Sequence, residues 1–423
     1  MLALILLPPL LLLQARAAVD CNDKYFNKTS CDADAACSWC TSASIPGNRH
    51  CNTLADARAL PPSVFTCDKL FDPDEAELMV MVADAAYCGD AHHPAGGAGA
   101  RSIVDWSCPA CHAAAATGGA GALSDVGIFE DRARQTFGFV GVSGGWPPAG
   151  GAGGAATEQR IVVSFRGSVL LLNFLDDVRG ELVPHPRGGR VHEGCYGSFK
   201  SMSAQMLKAL SALRAKHPEA KTIMVTGHSL GATQSVYGAE EIALAHPDAQ
   251  VVLYSFGTMR PGDARYATRI NEITNLRTTP VTHRADPVPQ RGNMTADTAA
   301  GYRQIFGNVW YNDDLPLPSR RVSGGGVAER QRLGDWREHY VECDGTGEDP
   351  HCQDSLPASQ LHGPDHDLYI GHAMWCCNGT VWANSSQASP PPAGCVFPFP
   401  PPPGRTRGLP SLETILERTG RAT

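Results

Sequence analysis

Ser229 stands in Gly227-His-Ser-Leu-Gly231, between the apolar, β-branched run Ile223–Thr226 and Ala232–Ala245, which reads as a helix. A Gly-x-Ser-x-Gly pentapeptide between strand and helix predicts a nucleophile elbow, a sharp turn that presents the serine Oγ at the carboxyl edge of a sheet. Side chains at Gly227 and Gly231 would collide with the neighbouring strand and helix. The helix N-terminus beneath the serine favours a developing negative charge. Such a serine performs acyl transfer if a base and an orienting carboxylate reach it, and on this kind of sheet the chain order is Ser, Asp, His. Asp286 is the candidate acid, because the extended segment Val281–Ala285 ends there against Pro287 and leaves a carboxylate at the sheet edge. An Asp-Pro surface turn is the plainer alternative. His366, in Pro364-Asp-His-Asp-Leu-Tyr-Ile-Gly371, is the candidate base, with His362 and His372 as competitors among fifteen histidines.

The elements that must position these residues alternate. An acidic-capped helix is expected over Asp74–Cys88, strands over Val126–Glu130, Thr136–Val142 and Arg160–Phe165, and a helix over Ser198–Lys216. After the elbow, Val251–Phe256 and Pro280–Thr282 read as strands. This order predicts an α/β fold with a mainly parallel central sheet. The Gly/Ala-rich stretches Pro94–Ala100, Ala113–Ala122 and Gly144–Ala156 read as surface-loop insertions, and residues 389–423 as a proline-rich tail.

With 423 residues the chain has room for one large domain and a small one, and a net charge of −8 without charge blocks gives no sign of nucleic acid binding. Residues 1–17 combine an apolar run with Ala15-Arg-Ala17, the pattern of a secretory signal peptide. The run is too short to span a bilayer and Pro8-Pro9 interrupt it, so no transmembrane anchor is expected. Fifteen cysteines and sequons at Asn27, Asn293, Asn378 and Asn384 point to a secreted protein or one resident in a secretory-pathway or vacuolar lumen.

Residues 18–70 hold Cys21, Cys31, Cys37, Cys40, Cys51 and Cys67. A segment this short needs disulfides, worth about 2–4 kcal/mol each, in place of a core. Cys37-x2-Cys40 lacks the second knuckle of a zinc site, so no metal is expected. Its Cys-Ser-Trp-Cys core resembles a PSI (plexin–semaphorin–integrin) module, which implies a spacing role and leaves room for a protein partner.

Over residues 71–388 the chain resembles the fungal-type, or class 3, lipase family of α/β-hydrolases. The blocks that carry the likeness stand in order: Ile161-Val-Val-Ser-Phe-Arg-Gly-Ser168, Val191-His-Glu-Gly194, the elbow, Tyr254–Gly262, Val281–Pro289 and Asp365-His-x-x-Tyr369-x-Gly371. The resemblance implies Ser229 as nucleophile, Asp286 as acid and His366 as base, with an oxyanion hole at Ser168 and Leu230. It also implies a mobile lid over Val169, Leu170, Leu171, Leu172, Phe174 and Leu175. Those apolar groups cost about 1.5–3 kcal/mol each when left in water. A plain core helix is the alternative for that stretch. The family's disulfide positions imply Cys88–Cys376, Cys108–Cys111 and Cys343–Cys352. Cys377 would then pair with Cys395, the six N-terminal cysteines would pair among themselves, and Cys195 would remain a buried free thiol. Gln304 and Asn308 depart from the family's frequent His and Glu.

The activity implied is hydrolysis of lipid esters at an oil–water or membrane interface through an acyl-enzyme, with no cofactor and no metal. Phospholipids, galactolipids or feruloyl esters are alternative substrates on the same fold. A catalytically inert adhesion or scaffold protein is the alternative from another class, and the intact triad and elbow glycines speak against it.

Overall fold

The computed structural model of the chain describes residues 21–27, 30–31, 37–42, 51–53, 56–57, 60, 65–67, 71–89, 100–146, 158–168, 181–290, 301–312, 340–343 and 345–376. The leader, the lid stretch, the proline-rich tail, the Cys377–Cys395 pairing and the sequons at Asn293, Asn378 and Asn384 lie outside these residues. Asn27 is described and exposed.

The N-terminal region is held by Cys21–Cys37, Cys31–Cys51 and Cys40–Cys67. These bonds surround a three-stranded antiparallel sheet in which Cys37–Thr41 lies between Cys51–Thr53 and Thr66–Cys67. Among the described residues the apolar cluster here is built mostly of half-cystines, as a segment too small for a core requires.

Helix α1 (Pro73–Ala85) begins where Asp72 accepts hydrogen bonds from the N–H groups of Asp74 and Glu75, with proline at the first helical position. Helix α2 is Pro109–Ala116. The central sheet then takes strands β1 (Leu123–Asp131), β2 (Thr136–Ser143) and β3 (Arg160–Phe165). Helix α3 (Glu193–Lys216), β4 (Thr222–His228) and helix α4 (Leu230–Ala245) follow. Next come β5 (Gln250–Phe256), helix α5 (Ala264–Asn271), β6 (Leu276–His283), β7 (Val309–Tyr311) and β8 (Tyr340–Glu342). The eight strands lie side by side in chain order, β8 at one edge and β1 at the other. β3 to β7 are parallel to one another, while β1, β2 and β8 are antiparallel to their neighbours. The fold is thus the α/β-hydrolase architecture expected, with a mainly parallel centre.

Alternation along the strands splits the core. Val162, Met224, Val252 and Tyr254 share one buried cluster with α1, and Ile161, Val163, Ile223, Val225 and Leu253 share the other with α3 and α4. Both faces of the sheet are covered, so each buried Val or Ile contributes about 1.5–3 kcal/mol.

Three departures have physical causes. Ala113–Ala122 is not a surface-loop insertion: its first half lies in α2, and Ala114, Ala120 and Gly121 are buried. The Trp106 indole donates to the Gly121 carbonyl at 2.9 Å, and a side chain at Gly121 would run into the Ala114 carbonyl. Helix α3 starts five residues earlier than expected because His192 caps it and Gly194 and Gly197 dilute the sequence signal without breaking the helix. Strand β6 continues through Pro280, whose missing N–H the expected boundary respected, and pairs Pro280 with Ser255.

Candidate active site

The loop after β4 bends back sharply at Ser229, whose φ of 60° and ψ of −127° lie outside the regions ordinary side chains favour. Two backbone bonds hold it there: Ser229 N–H donates to the Phe256 carbonyl at 2.9 Å, and the Ser229 carbonyl accepts from Thr233 N–H at 3.2 Å. The flanking glycines act as expected. A Cβ on Gly227 would stand 2.3 Å from the Gly231 carbonyl oxygen, and one on Gly231 would stand 2.2 Å from the Phe165 carbonyl oxygen. Both obstacles are backbone and cannot rotate away. Gly231→Ala is therefore expected to destabilise the protein by about 1–3 kcal/mol, read as a lower urea midpoint; an unchanged midpoint would show that the elbow tolerates a side chain there.

Asp286 follows β6, is fully buried, and is satisfied on both oxygens. Oδ1 accepts from Val288 N–H at 2.7 Å; Oδ2 accepts from His366 Nδ1 at 2.8 Å and from the Tyr369 hydroxyl. His366 is the penultimate residue of a short 3-10 turn, Gly363–Asp367. That turn is stitched to the acid loop: Ala285 N–H donates to Asp365 Oδ2 at 3.1 Å, His362 N–H donates to the Ala285 carbonyl at 2.9 Å, and His283 Nδ1 meets the Asp365 carbonyl at 3.0 Å. The competing histidines are engaged elsewhere, His362 with Asp365 at 3.1 Å and His372 with Glu77 at 3.2 Å.

The turn leads into a hairpin of β9 (Leu368–Tyr369) and β10 (His372–Ala373). Ile370 and Gly371 both take positive φ to close it. Past β10, Cys376 is bonded to Cys88, and its N–H donates to Asp84 Oδ1 at 2.7 Å. The histidine loop is thus fastened at one end to the acid loop and at the other to the segment just past α1.

His228, to which the sequence assigns no role, braces His366. Its Nε2 meets the His366 carbonyl at 2.8 Å and its Nδ1 meets the Tyr87 hydroxyl at 2.7 Å. The His228 and His366 rings lie 4.5 Å apart between centroids. Burial, and then the neighbouring His366 charge, push the His228 pKa well below the ordinary histidine value. It is a neutral wedge: Nε2–H donates to the carbonyl while Nδ1 accepts from tyrosine. Burial acts downward on His366 too, but the Asp286 carboxylate, its hydrogen bond and the charge of Asp367 outweigh it and hold His366 above the ordinary value.

His366 and Ser229 each pack against the one turn at Phe256 and Gly257. A Cβ on Gly257 would fall 2.9 Å from His366 Cε1, and Phe256, the residue before it, holds the Ser229 amide. Ser229 Oγ and His366 Nε2 are both buried and without a hydrogen-bond partner. The structure therefore brings Asp286 and His366 into contact, while the hydrogen bond from Ser229 to His366 is not made. Beside the elbow, Gly167 packs so closely that a Cβ would lie 2.6 Å from the His228 carbonyl and 3.1 Å from Ser229 Cβ. Ser168 is the next residue. Leu230 opens α4, where helix N–H groups lack intrahelical partners. Val169, Leu170, Leu171, Leu172, Phe174 and Leu175 lie outside the described residues. Among the described residues, the two groupings of side chains close enough to hold an ion consist of disulfide-bonded cysteines, with Asp349 in one of them, so their sulfurs are already committed.

Residues 162–295 match the family model described as Lipase (class 3). "Secreted mono- and diacylglycerol lipase 2" of Gibberella zeae is 29% identical over 215 residues, covering 44% of this chain and 52% of the relative. "Phospholipase A1-II 4" of Oryza sativa subsp. japonica is 28% identical over 232 residues, covering 49% and 54%. The chain spans about half the length of the curated relatives it matches. Among solved structures, a lipase from Rhizopus microsporus var. chinensis superposes with a TM-score of 0.53 at 19% identity, over 72% of this chain and 89% of that one. That likeness is one of fold.

Proposed function

We propose that this chain, which is similar to class 3 lipases over residues 162–295, hydrolyses carboxylic esters of lipids with Ser229 as nucleophile, His366 as general base and Asp286 as the acid that orients it. The observation that carries this reading is the buried Asp286–His366 pair, packed against the same turn as a serine on a strained elbow. Asp286 fixes the imidazole with its proton on Nδ1, which leaves the Nε2 lone pair to take the Ser229 proton as Oγ attacks the ester carbonyl. The carbonyl electrons move onto oxygen, where the N–H groups of Ser168 and Leu230 receive the charge. As the tetrahedral intermediate collapses, the ester C–O bond breaks and His366 returns the proton to the leaving alcohol. Water, deprotonated by the same imidazole, then attacks the acyl-enzyme and releases the fatty acid and Ser229.

A second substrate class is kept for one reason. The rice relative is named a phospholipase A1, a carboxylic-ester hydrolase whose chemistry would use the same three residues. Secretion is part of the proposal, supported by the disulfides and by the name of the Gibberella relative. No helix among the described residues is long and apolar enough to cross a membrane.

Ser229 and His366 are shut off from solvent, so a segment must move before a lipid reaches them. The lid that the family resemblance implies at residues 169–175 lies outside the described residues, and interfacial activation is its test. The rate on tributyrin is expected to jump as the substrate passes its solubility limit, and a smooth saturation curve across that limit would argue against gating by an interface. Emulsified triacylglycerol and phosphatidylcholine vesicles, compared in the same assay, decide between the two substrate classes.

A further inference from the structure

The mechanism above leaves one buried acid unused. Asp367 directly follows His366 in the 3-10 turn and is 9% exposed. Its backbone carbonyl accepts from Met374 N–H at 2.9 Å, and its Oδ1 accepts from the Trp375 indole N–H at 3.0 Å. Trp375 is itself almost fully buried, with φ at 83°, between the hairpin and Cys376, and its ring packs against Tyr87 at 4.8 Å. A carboxylate in such a place is costly unless it is paired. A neutral hydrogen-bond acceptor would serve the Trp375 indole without burying a charge if support of the hairpin were the only demand, since the Met374 bond uses backbone alone.

We propose that Asp367 is a positioning residue for His366: its buried carboxylate, anchored by the Trp375 indole, stabilises the imidazolium that forms when His366 takes the Ser229 proton. The proposal rests on the triad reading and deepens it. Asp286 meets the imidazolium through a hydrogen bond at Nδ1, and Asp367 adds a second negative charge from the adjacent turn position. The groups whose charge or hydrogen bond acts on Asp367 are His366 and Asp365 on its own turn, Asp286 from the acid loop and Trp375 from beyond the hairpin, and Asp367 acts in turn on Tyr87 after α1. Burial pushes Asp367 up to about 6; the His366 charge and the Trp375 hydrogen bond oppose that rise, and the two other carboxylates add to it.

Asp367→Asn tests the idea, because asparagine keeps an oxygen for the indole N–H and loses the charge. Activity on a soluble ester, p-nitrophenyl butyrate, is followed as kcat/KM against pH. With the charge gone, His366 releases its proton more easily, so the acid limb moves to lower pH. The plateau falls several-fold, less than the about 10²-fold cost of losing an oxyanion donor. Asp367→Ser supplies a second neutral acceptor for the indole, and its acid limb moves in the same direction. An acid limb unmoved in a folded Asp367→Asn or Asp367→Ser protein overturns the proposal. Ser229→Ala and His366→Ala in the same assay separate the two readings: if they keep activity the triad is wrong, and if they lose it while Asp367→Asn leaves the limb in place, only the role of Asp367 is wrong.

Discussion

Ser229→Ala is expected to remove roughly 10⁶-fold from kcat on p-nitrophenyl butyrate, leaving only what the oxyanion donors and substrate binding supply. The fold should survive. Ser229 is held at its unusual φ by its backbone bonds to Phe256 and Thr233, and its Oγ has no partner to lose. Alanine at φ 60° carries the same local strain as serine, so the thermal midpoint should stay within a few degrees of wild type. The prediction thus separates chemistry from stability. Undiminished hydrolysis by the variant would remove the nucleophile assignment, and with it the elbow as the seat of catalysis.

A second loss of comparable size is expected from His366→Ala, and its contrast is His372→Ala. The two imidazoles lie six positions apart on one loop, but only that of His366 meets Asp286, while that of His372 meets Glu77 on α1. Removing His366 leaves Ser229 without a proton acceptor and leaves Asp286 with the Tyr369 hydroxyl as its remaining side-chain donor among the described residues. Activity should fall to the same residual level as in Ser229→Ala, because groups that act as one unit are not additive. His372→Ala should cost about 1 kcal/mol of stability from one lost hydrogen bond and leave kcat within about twofold. Urea melts and steady-state kinetics on both variants read the two effects separately. The reverse pattern would move the base to 372.

The elbow was legible because its chemistry is local: two glycines, a serine, and a strand and helix on either side are all within some twenty residues of sequence. The Asp286–His366 pair was legible only through family blocks, since nothing in the residues around fifteen histidines ranks one above another. His228 was out of reach, because its partner is a backbone carbonyl 138 residues away and backbone positions carry no label in a sequence. Asp367 was visible as a residue but silent as a role: whether a carboxylate beside the base is buried or solvated is decided by Trp375 and Tyr87, which arrive from other segments. Among the elements, β3 was placed to the residue, because its run of buried apolar side chains stops at the charged Arg166. β7 and β8 were missed, being three residues each and too short to show a period.

The bond between Cys88 and Cys376 joins residues 288 positions apart, the last of them ten residues beyond His366. On the ribosome, the amino-terminal thiol emerges long before its mate exists. Until Cys376 is made, the far end of the loop that carries His366 has no covalent tie to the segment after α1. Closing this bond is therefore a late step of maturation, and it fixes covalently the far end of the loop that carries His366.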